Sequence, residues 1–186
     1  PRDNNHPYRP AIIFRMAEAY LSYAEALNES SERMSHKQEI LDNLNKIRHR
    51  AGIAEYGTGT DENGFTRIKI NFSDQKEVRR LIHKERRVEF VGEGVRYHDL
   101  RRWKTAHYGI GNLNEQGENP DWGVNGPDYG MNYYGTEYTD QGDNAFFKRT
   151  KYMDRVYPRK FYWYPIHQSE IDKDPTLVQG PFWLGE

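Results

Sequence analysis

The stretch "AIIFRMAEAYLSYAEALNE", residues 11–29, decides the fold. Apolar side chains recur in it with alternating steps of three and four residues, at Ile13, Met16, Tyr20, Tyr23 and Leu27. This spacing places them on one stripe of an α-helix. Small side chains lie between them, at Ala17, Ala19, Ala24 and Ala26. The segment therefore predicts an amphipathic helix that a neighbouring helix can approach closely.

The next helix is predicted from "SHKQ", residues 35–38, which fits a capping box in which Ser35 accepts a backbone N–H and Gln38 reaches back. The residues that follow place an apolar face on one side of a helix, at Ile40, Leu44, Ile47 and Ala51. Gly52 is the expected stop. Two amphipathic helices with a short link predict an antiparallel helical hairpin.

Downstream, Asn63-Gly64 lies between β-favouring residues and predicts a small β-hairpin. Asp74 is placed to cap a third helix, over about residues 74–91, with Val78, Leu81, Ile82 and Val88 facing inward. Gly92 and Gly94 break it before a shorter helix at about 95–104. We therefore assign residues 1–107 to a helical part.

Composition excludes several classes of function. The 186 residues include 27 Lys and Arg against 28 Asp and Glu, a balance without a general attraction to nucleic acid or anionic membranes. The absence of Cys excludes disulfides, thiolate metal sites and a Cys nucleophile. The opening "PRDNNHPYRP" resembles a loop, and we expect the chain to be a piece of a longer protein.

Residues 108–160 form a predicted irregular region rich in Tyr, Gly and Asn. Its first part, 108–147, contains seven acidic residues and no Lys or Arg, and a basic patch follows in 148–160. Tyr and Trp with Gly and Asn are typical of adaptable recognition loops, and sugar rings stack on aromatic faces. The candidate glycan-binding residues are Trp122, Tyr129, Tyr133, Tyr134 and Tyr138. Alternatively, these aromatics pin the loop to the helical body, or the acidic charge contacts a basic partner.

The tail "FYWYPIHQSEIDKDPTLVQGPFW", residues 161–183, has two interpretations, a binding platform or a strap. An extended run turns alternate rings to opposite faces, so at least one pair is available for packing. The backbone is constrained at Pro165, at a short helix capped by Ser169, and at Asp174-Pro175. We expect this pattern to lay the tail along a surface, with packing contacts from Ile166, Ile171, Leu177 and Phe182. We therefore interpret residues 161–186 as a C-terminal strap.

Catalytic and metal sites are not expected. Glu85 and Glu89 lie at helical spacing beside arginines, which would keep both carboxylates ionised and unsuited to general acid chemistry. Their helix is predicted to pair with Arg15, Glu18 and Glu25 of the first hairpin. The seven His residues show no metal-ligand spacing, and Asp-rich turns near residues 61 and 140 lack a full calcium-loop pattern. We predict a binding protein without cofactor or metal.

Three phrases together resemble the SusD/RagB family of glycan-binding lipoproteins of the Bacteroidetes outer membrane. They are "RMAEAYLSYAEALNE" (15–29) with "LDNLNKIRHRAGI" (41–53), "LIHKERRVEFVGEGVRYHDLRRW" (81–103) and "YPIHQSEIDKDPTLVQGPFW" (164–183). Two departures bear on local turn geometry: His167 stands where the family usually has Pro, and Gly180-Pro181-Phe182 replaces its Asn-Pro-Gly.

The resemblance implies a mainly α fold of tetratricopeptide-like hairpins with long irregular loops and a C-terminal strap, here an incomplete C-terminal portion lacking the N-terminal majority. It also implies a surface-exposed outer-membrane protein, anchored by a lipid outside this chain, that binds oligosaccharide and delivers it to a SusC-like TonB-dependent transporter. The alternative is a tetratricopeptide-like protein-interaction module without sugar binding.

Overall fold

The computed structural model describes residues 13–109 and 123–184. The chain divides into two compact units, Pro1–Glu93 and Gly94–Glu186. Five α-helices and one two-stranded sheet occur in the described ranges, so the mainly helical fold is confirmed. None of the helices in these ranges combines the length and the apolar character needed to cross a bilayer. The division into a helical part, a loop region and a strap stays a prediction.

The first unit is built on three helices, α1 (Met16–Glu29), α2 (Lys37–Arg50) and α3 (Gln75–Glu89). α1 packs against both α2 and α3, so the predicted helical hairpin is present. Its innermost side chains are fully buried and come from all three helices, with Leu21, Ala24, Ile40, Leu44, Val78 and Ile82. This aliphatic core makes the first unit a packed helical body.

The predicted apolar stripe of α1 is right only at Leu27, the one residue of its five that is buried. Ile13 lies before the helix and is 96% exposed, and Met16 and Tyr23 are also exposed. The buried face instead carries Ala17, Leu21, Ala24 and Leu27, which are also at helical spacing. α1 contacts two helices at once, and small side chains let both backbones approach closely. The alanine-rich face therefore turns inward and the bulkier residues turn outward.

The start of α2 also differs from its prediction. The residue before α2 is His36, not Ser35, and it makes no side-chain cap. The connection between α1 and α2 forms turns, and within them the Ser35 hydroxyl donates to the Glu32 carbonyl at 2.7 Å. Ser35 therefore does not cap α2. The predicted stop is confirmed, since Gly52 has φ +67°, whereas Ala51 is exposed and does not join the core.

The start of α3 follows the sequence closely. The Asp74 carboxylate accepts the backbone N–H groups of Lys76 and Glu77, so the predicted cap is present. Val88 is 65% exposed, however, and was wrongly placed in the core. Near Asn63-Gly64 the chain makes a tight turn with an isolated bridge between Thr60 and Thr66, and no strand.

The second unit begins with α4 (Val95–Arg102), preceded by Gly94 at φ +76°. Its sheet pairs β1 (Gly126–Met131) with β2 (Arg149–Arg155), antiparallel, with an irregular register between Asp128 and Tyr129. The sequence did not predict this two-stranded sheet, which we call the ribbon, and the expectation of an entirely irregular loop is wrong. β1 reads "GPDYGM", whose Gly and Pro give little local strand signal. Cross-strand pairing decides its conformation.

The tail is less extended than predicted. A 3-10 helix covers Arg159–Tyr162, at the start of the run predicted to be extended, whereas the predicted short helix is present as α5, Gln168–Lys173. α5 begins after His167, whose ring accepts the Ser169 N–H, so the cap predicted at Ser169 is wrong. The side chain of Gln179 links two segments of the tail, because it accepts from the Ile166 N–H and donates to the Ile166 carbonyl, both at 2.8 Å.

Candidate functional site

Three of the five predicted site residues, Tyr133, Tyr134 and Tyr138, lie on the connection between β1 and β2, residues 132–148, which we call the tyrosine loop. Backbone hydrogen bonds connect its two halves: the Thr136 N–H donates to the Asn144 carbonyl at 2.9 Å, and the Phe146 N–H donates to the Glu137 carbonyl at 2.8 Å. Ala145, within the loop, is fully buried. The loop therefore has a defined conformation of its own, held by main-chain groups.

Three tyrosines of this loop point into solvent. Tyr133, Tyr134 and Tyr138 are 83%, 88% and 86% exposed. The rings of Tyr133 and Tyr134 meet edge to face, with centroids 5.5 Å apart. Tyr138 lies beside Phe146 and Phe147, at 5.9 and 6.2 Å. Rings that exposed contribute little to pinning the loop, which weighs against the pinning interpretation for these three.

Gly135 allows the loop to close. A Cβ atom at this position would lie 2.5 Å from the backbone of Phe146, closer than side chains tolerate. The two segments of the loop therefore touch through their main chains just after Tyr133 and Tyr134. This close approach holds the base of the tyrosine pair in a fixed place.

The two remaining candidates have different surroundings. Tyr129 lies on β1, and the Arg149 guanidinium stands 4.1 Å from its ring centroid, so one of its faces is already occupied. Trp122 lies outside the described residues. The structure thus brings Tyr133 and Tyr134 together and places Tyr138 with two phenylalanines on the same loop.

Acidic groups of the ribbon are partly neutralised. Asp128 accepts the Tyr152 hydroxyl at 2.7 Å and lies 3.4 Å from Arg155. This hydrogen bond raises the pKa of Tyr152 above its ordinary value. Within the tyrosine loop, Lys148 pairs with Asp143 at 3.1 Å. The contacts of Asp128 join the two strands of the sheet, and the Lys148–Asp143 pair lies within the loop.

The carboxylates considered for catalysis belong to a structural network in the first unit. Glu89 pairs with both Arg15 and Arg50. Burial alone would raise the pKa of Glu89, but the hydrogen bonds and charges of these two arginines lower it below its ordinary value. The predicted pairing across the hairpin is therefore present, and Glu89 is unsuited to donate a proton at neutral pH.

The sequence did not predict two concave surfaces of the protein, because the walls of each come from segments that are distant along the chain. The first unit carries an open groove of about 930 Å³ along α1, α2 and the segment 55–72. The second unit carries a smaller pocket of about 380 Å³. We call it the aromatic pocket; its lining includes four aromatic rings and two cations, Trp103, Tyr108, Trp163, Phe182, Lys104 and Arg159. In the described ranges, no group of three or more His, Asp or Glu side chains is arranged to hold a metal ion.

Comparison with known proteins places this architecture among relatives. The SusD family model matches residues 2–183. Two SusD-like proteins from Formosa agariphila are 32% and 33% identical over 103 residues, each match covering 55% of this chain and 19% and 16% of the relative. A SusD-like protein from Bacteroides fragilis, known from its crystal structure, matches with a TM-score of 0.61 and 27% identity, over 92% of this chain and 26% of that one. The chain thus spans about a fifth of these curated relatives.

Proposed function

Because the chain belongs to the SusD family, a family of binding proteins that generally partner SusC-like transporters, we propose that it takes part in oligosaccharide capture. In this proposal the protein lies at the surface of the outer membrane, anchored by a lipid outside this chain. It binds a glycan reversibly and passes it to a SusC-like TonB-dependent transporter. No covalent chemistry is required.

The tyrosine loop is the observation that carries the proposal. Its three outward rings stand on a loop that its own backbone already orders, so little conformational entropy remains to be lost on binding. Sugar rings present C–H faces that stack on such aromatics. By analogy with aromatic pairs, each stacked ring contributes about 0.5–1.5 kcal/mol. Capture by a few rings would therefore be weak and reversible, as delivery to a transporter requires.

The test compares stacking variants in the intact protein. Tyr133→Ala and Tyr134→Ala should each weaken oligosaccharide binding by roughly 2- to 12-fold, the affinity equivalent of one stacked ring. Glycan arrays would identify the ligand, and calorimetry would measure the loss. Since both side chains are more than 80% exposed, the melting temperature should stay unchanged.

The matched controls are Tyr133→Phe, which keeps the ring, and Tyr23→Ala, which removes an exposed tyrosine of α1. Both should bind like the parent protein. A fall in melting temperature in the loop variants, without a separate loss of affinity, would instead support the pinning interpretation.

The protein-interaction alternative has one observation in its favour, the open groove of about 930 Å³ along the helical hairpin. A transporter pulldown separates it from capture. If the intact protein retains the transporter but binds no glycan on the array, a lid-like interaction role survives and capture fails. Polysaccharide turnover abolished by Glu89→Gln would overturn the assignment to binding proteins.

A further inference from the structure

The aromatic pocket has the walls of a sugar subsite. Trp103 and Tyr108 follow α4, while Trp163 and Phe182 come from the tail, and the last two rings lie 5.9 Å apart at 46°. A volume of about 380 Å³ lies at the small end of ligand pockets and suits one or two sugar rings.

The wall behind these rings is held by hydrogen bonds. The Tyr162 hydroxyl accepts the backbone N–H of His107 at 3.2 Å and lies 2.8 Å from the His107 ring nitrogen. Arg101 donates to the Tyr162 carbonyl at 2.6 Å. These bonds join the end of α4 to the tail, so the pocket is formed before any ligand arrives.

The pocket is positively charged. Lys104 and Arg159 line it, and no Asp or Glu of the described residues does. Within those residues the Lys104 ammonium takes part in no ion pair and no hydrogen bond. A cation beside stacked rings suits a ligand that carries both an apolar ring face and a negative group.

The backbone at Lys104 adds a second, independent observation. Two helices of this chain end in the same motif: Gly52 and Ile53 close α2 with bonds of 3.0 and 3.1 Å, and Lys104 and Thr105 close α4 with bonds of 3.1 and 3.0 Å. Gly52 has φ +67° and Lys104 has φ +56°. Glycine suits this left-handed position, and other residues are strained there.

The helix end explains this conformation but not the choice of lysine. Phe182, which also lines the pocket, has φ +65° and is likewise not a glycine. In the described ranges these are the only two non-glycine residues with positive φ, and both line one pocket. Strained residues concentrate where side chains serve binding.

We infer that the aromatic pocket binds a sugar residue that carries an anionic group, a carboxylate or a sulfate. The sugar ring stacks on the aromatic walls, and the anion lies against Lys104 and Arg159. This inference rests on the proposed glycan-binding function and specifies its ligand class as an acidic oligosaccharide.

The test uses the intact protein and three monosaccharide probes: methyl glucuronide, methyl glucoside 6-sulfate and neutral methyl glucoside. Ligand-observed NMR should give affinities about tenfold higher for at least one anionic probe than for the neutral probe, because charge-assisted hydrogen bonds are the stronger ones. Whichever probe binds identifies the carboxylate or the sulfate. Equal binding of all three would overturn the inference, as would inorganic sulfate binding as tightly as the sugar sulfate.

The decisive variant is Lys104→Gly, because α2 demonstrates that glycine forms the same helix end. It should keep or raise the melting temperature while removing the preference for the anionic probe. A residue with a purely structural role would not separate these two readouts in this way. Arg159→Gln should lower the same preference, and an unchanged preference in both variants would overturn the inference.

Failure of this inference and failure of the tyrosine-loop proposal give different results. If oligosaccharides bind through Tyr133 and Tyr134 without any preference for charge, the pocket inference alone fails. If anionic monosaccharides bind through Lys104 but Tyr133→Ala leaves oligosaccharide affinity unchanged, the tyrosine-loop proposal alone fails.

Discussion

The two units of this chain are stabilised by different interactions. The first buries aliphatic side chains of three helices completely, with Leu21, Leu44 and Ile82 at 0% exposure. The core of the second is smaller, with Leu100, Ala106 and Tyr157 at its centre and Val124 and Tyr162 against it. Edge-to-face contacts between aromatic rings and hydrogen bonds between main-chain groups provide much of the stability of the second unit. The rings of Tyr133, Tyr134 and Tyr138 in the second unit remain exposed, whereas the aliphatic side chains of the first unit are buried in its core.

Charge is also handled differently. In the first unit Arg48 and Glu85 form a buried ion pair at 2.5 Å, and the Tyr56 hydroxyl donates to the same carboxylate at 2.8 Å. In the second unit the ion pairs of the ribbon lie at the surface, such as Lys151 with Asp154. Buried pairs are costly to break, and exposed pairs contribute little. The predictions below test this contrast.

The largest effect is expected from Arg48→Met, which leaves Glu85 buried without its cation. The free energy of unfolding should fall by about 3–5 kcal/mol. Urea unfolding of the intact protein measures it. The matched exposed pair is Lys173 with Glu170 on α5, and Lys173→Met should cost less than about 1 kcal/mol. Equal losses in the two variants would contradict the contrast in charge burial.

A core truncation compares the two units directly. Leu44→Ala removes a fully buried side chain from the helical core, and should cost about 3 kcal/mol. Leu100→Ala should cost about 2 kcal/mol, since Leu100 belongs to a smaller cluster and is 6% exposed, so the site can relax more easily. Thermal and urea unfolding with probes in each unit would report both values. A larger loss at Leu100 would reverse the proposed order of the cores.

Gly135→Ala tests whether the backbone contact orders the tyrosine loop. The added Cβ would meet the backbone of Phe146, so the loop must open, at a cost of about 1–3 kcal/mol. Hydrogen exchange at the Phe146 and Phe147 amides should accelerate, and oligosaccharide affinity should fall. Gly130→Ala is the control, because its Cβ would make only an ordinary 3.9 Å contact. Unchanged exchange in Gly135→Ala would show that the loop needs no such contact.

The smallest effect concerns pH. Arg15 and Arg50 hold the pKa of Glu89 below its unfolded value, so this group stabilises the fold above the unfolded pKa. The stabilisation is lost as the pH falls through the folded pKa. Glu89→Gln should therefore cost about 1 kcal/mol near neutral pH, since Arg15 still pairs with Glu93, and less below pH ~4. A difference between the two proteins that grows on acidification would contradict this assignment.

Several local signals in the sequence predicted the structure correctly, although the caps predicted at Ser35 and Ser169 were wrong. The Asp74 cap, the Gly52 stop and the Gly92–Gly94 break all depend on side chains or backbone freedom within a few residues, and all three are present. The ribbon β1–β2 has no such signal, since its pairing joins residues that lie far apart in the sequence, from Met131 with Arg149 to Gly126 with Arg155. The aromatic pocket was hidden for the same reason, because Lys104 and Phe182 meet only in the folded unit.

The candidate site likewise has features that the sequence indicates and features that only the folded structure shows. Composition alone pointed to the tyrosines of residues 108–147, and three of them are exposed on one ordered loop. It did not reveal that Arg149 covers one face of Tyr129, or that Gly135 closes the loop against Phe146. Such contacts depend on the register between two strands, which the residue types of one strand do not determine.

By itself, the sequence determined that α1 is a helix, where α3 begins, and that the chain resembles the SusD family. Periodicity and capping act over one or two helical turns and leave their mark on neighbouring residues. Only the tertiary structure decided that α1 buries Ala17 and Leu21 while Met16 and Tyr23 face outward. Two helical stripes were available in that segment, and close packing against α2 and α3 selected the one with the smaller side chains.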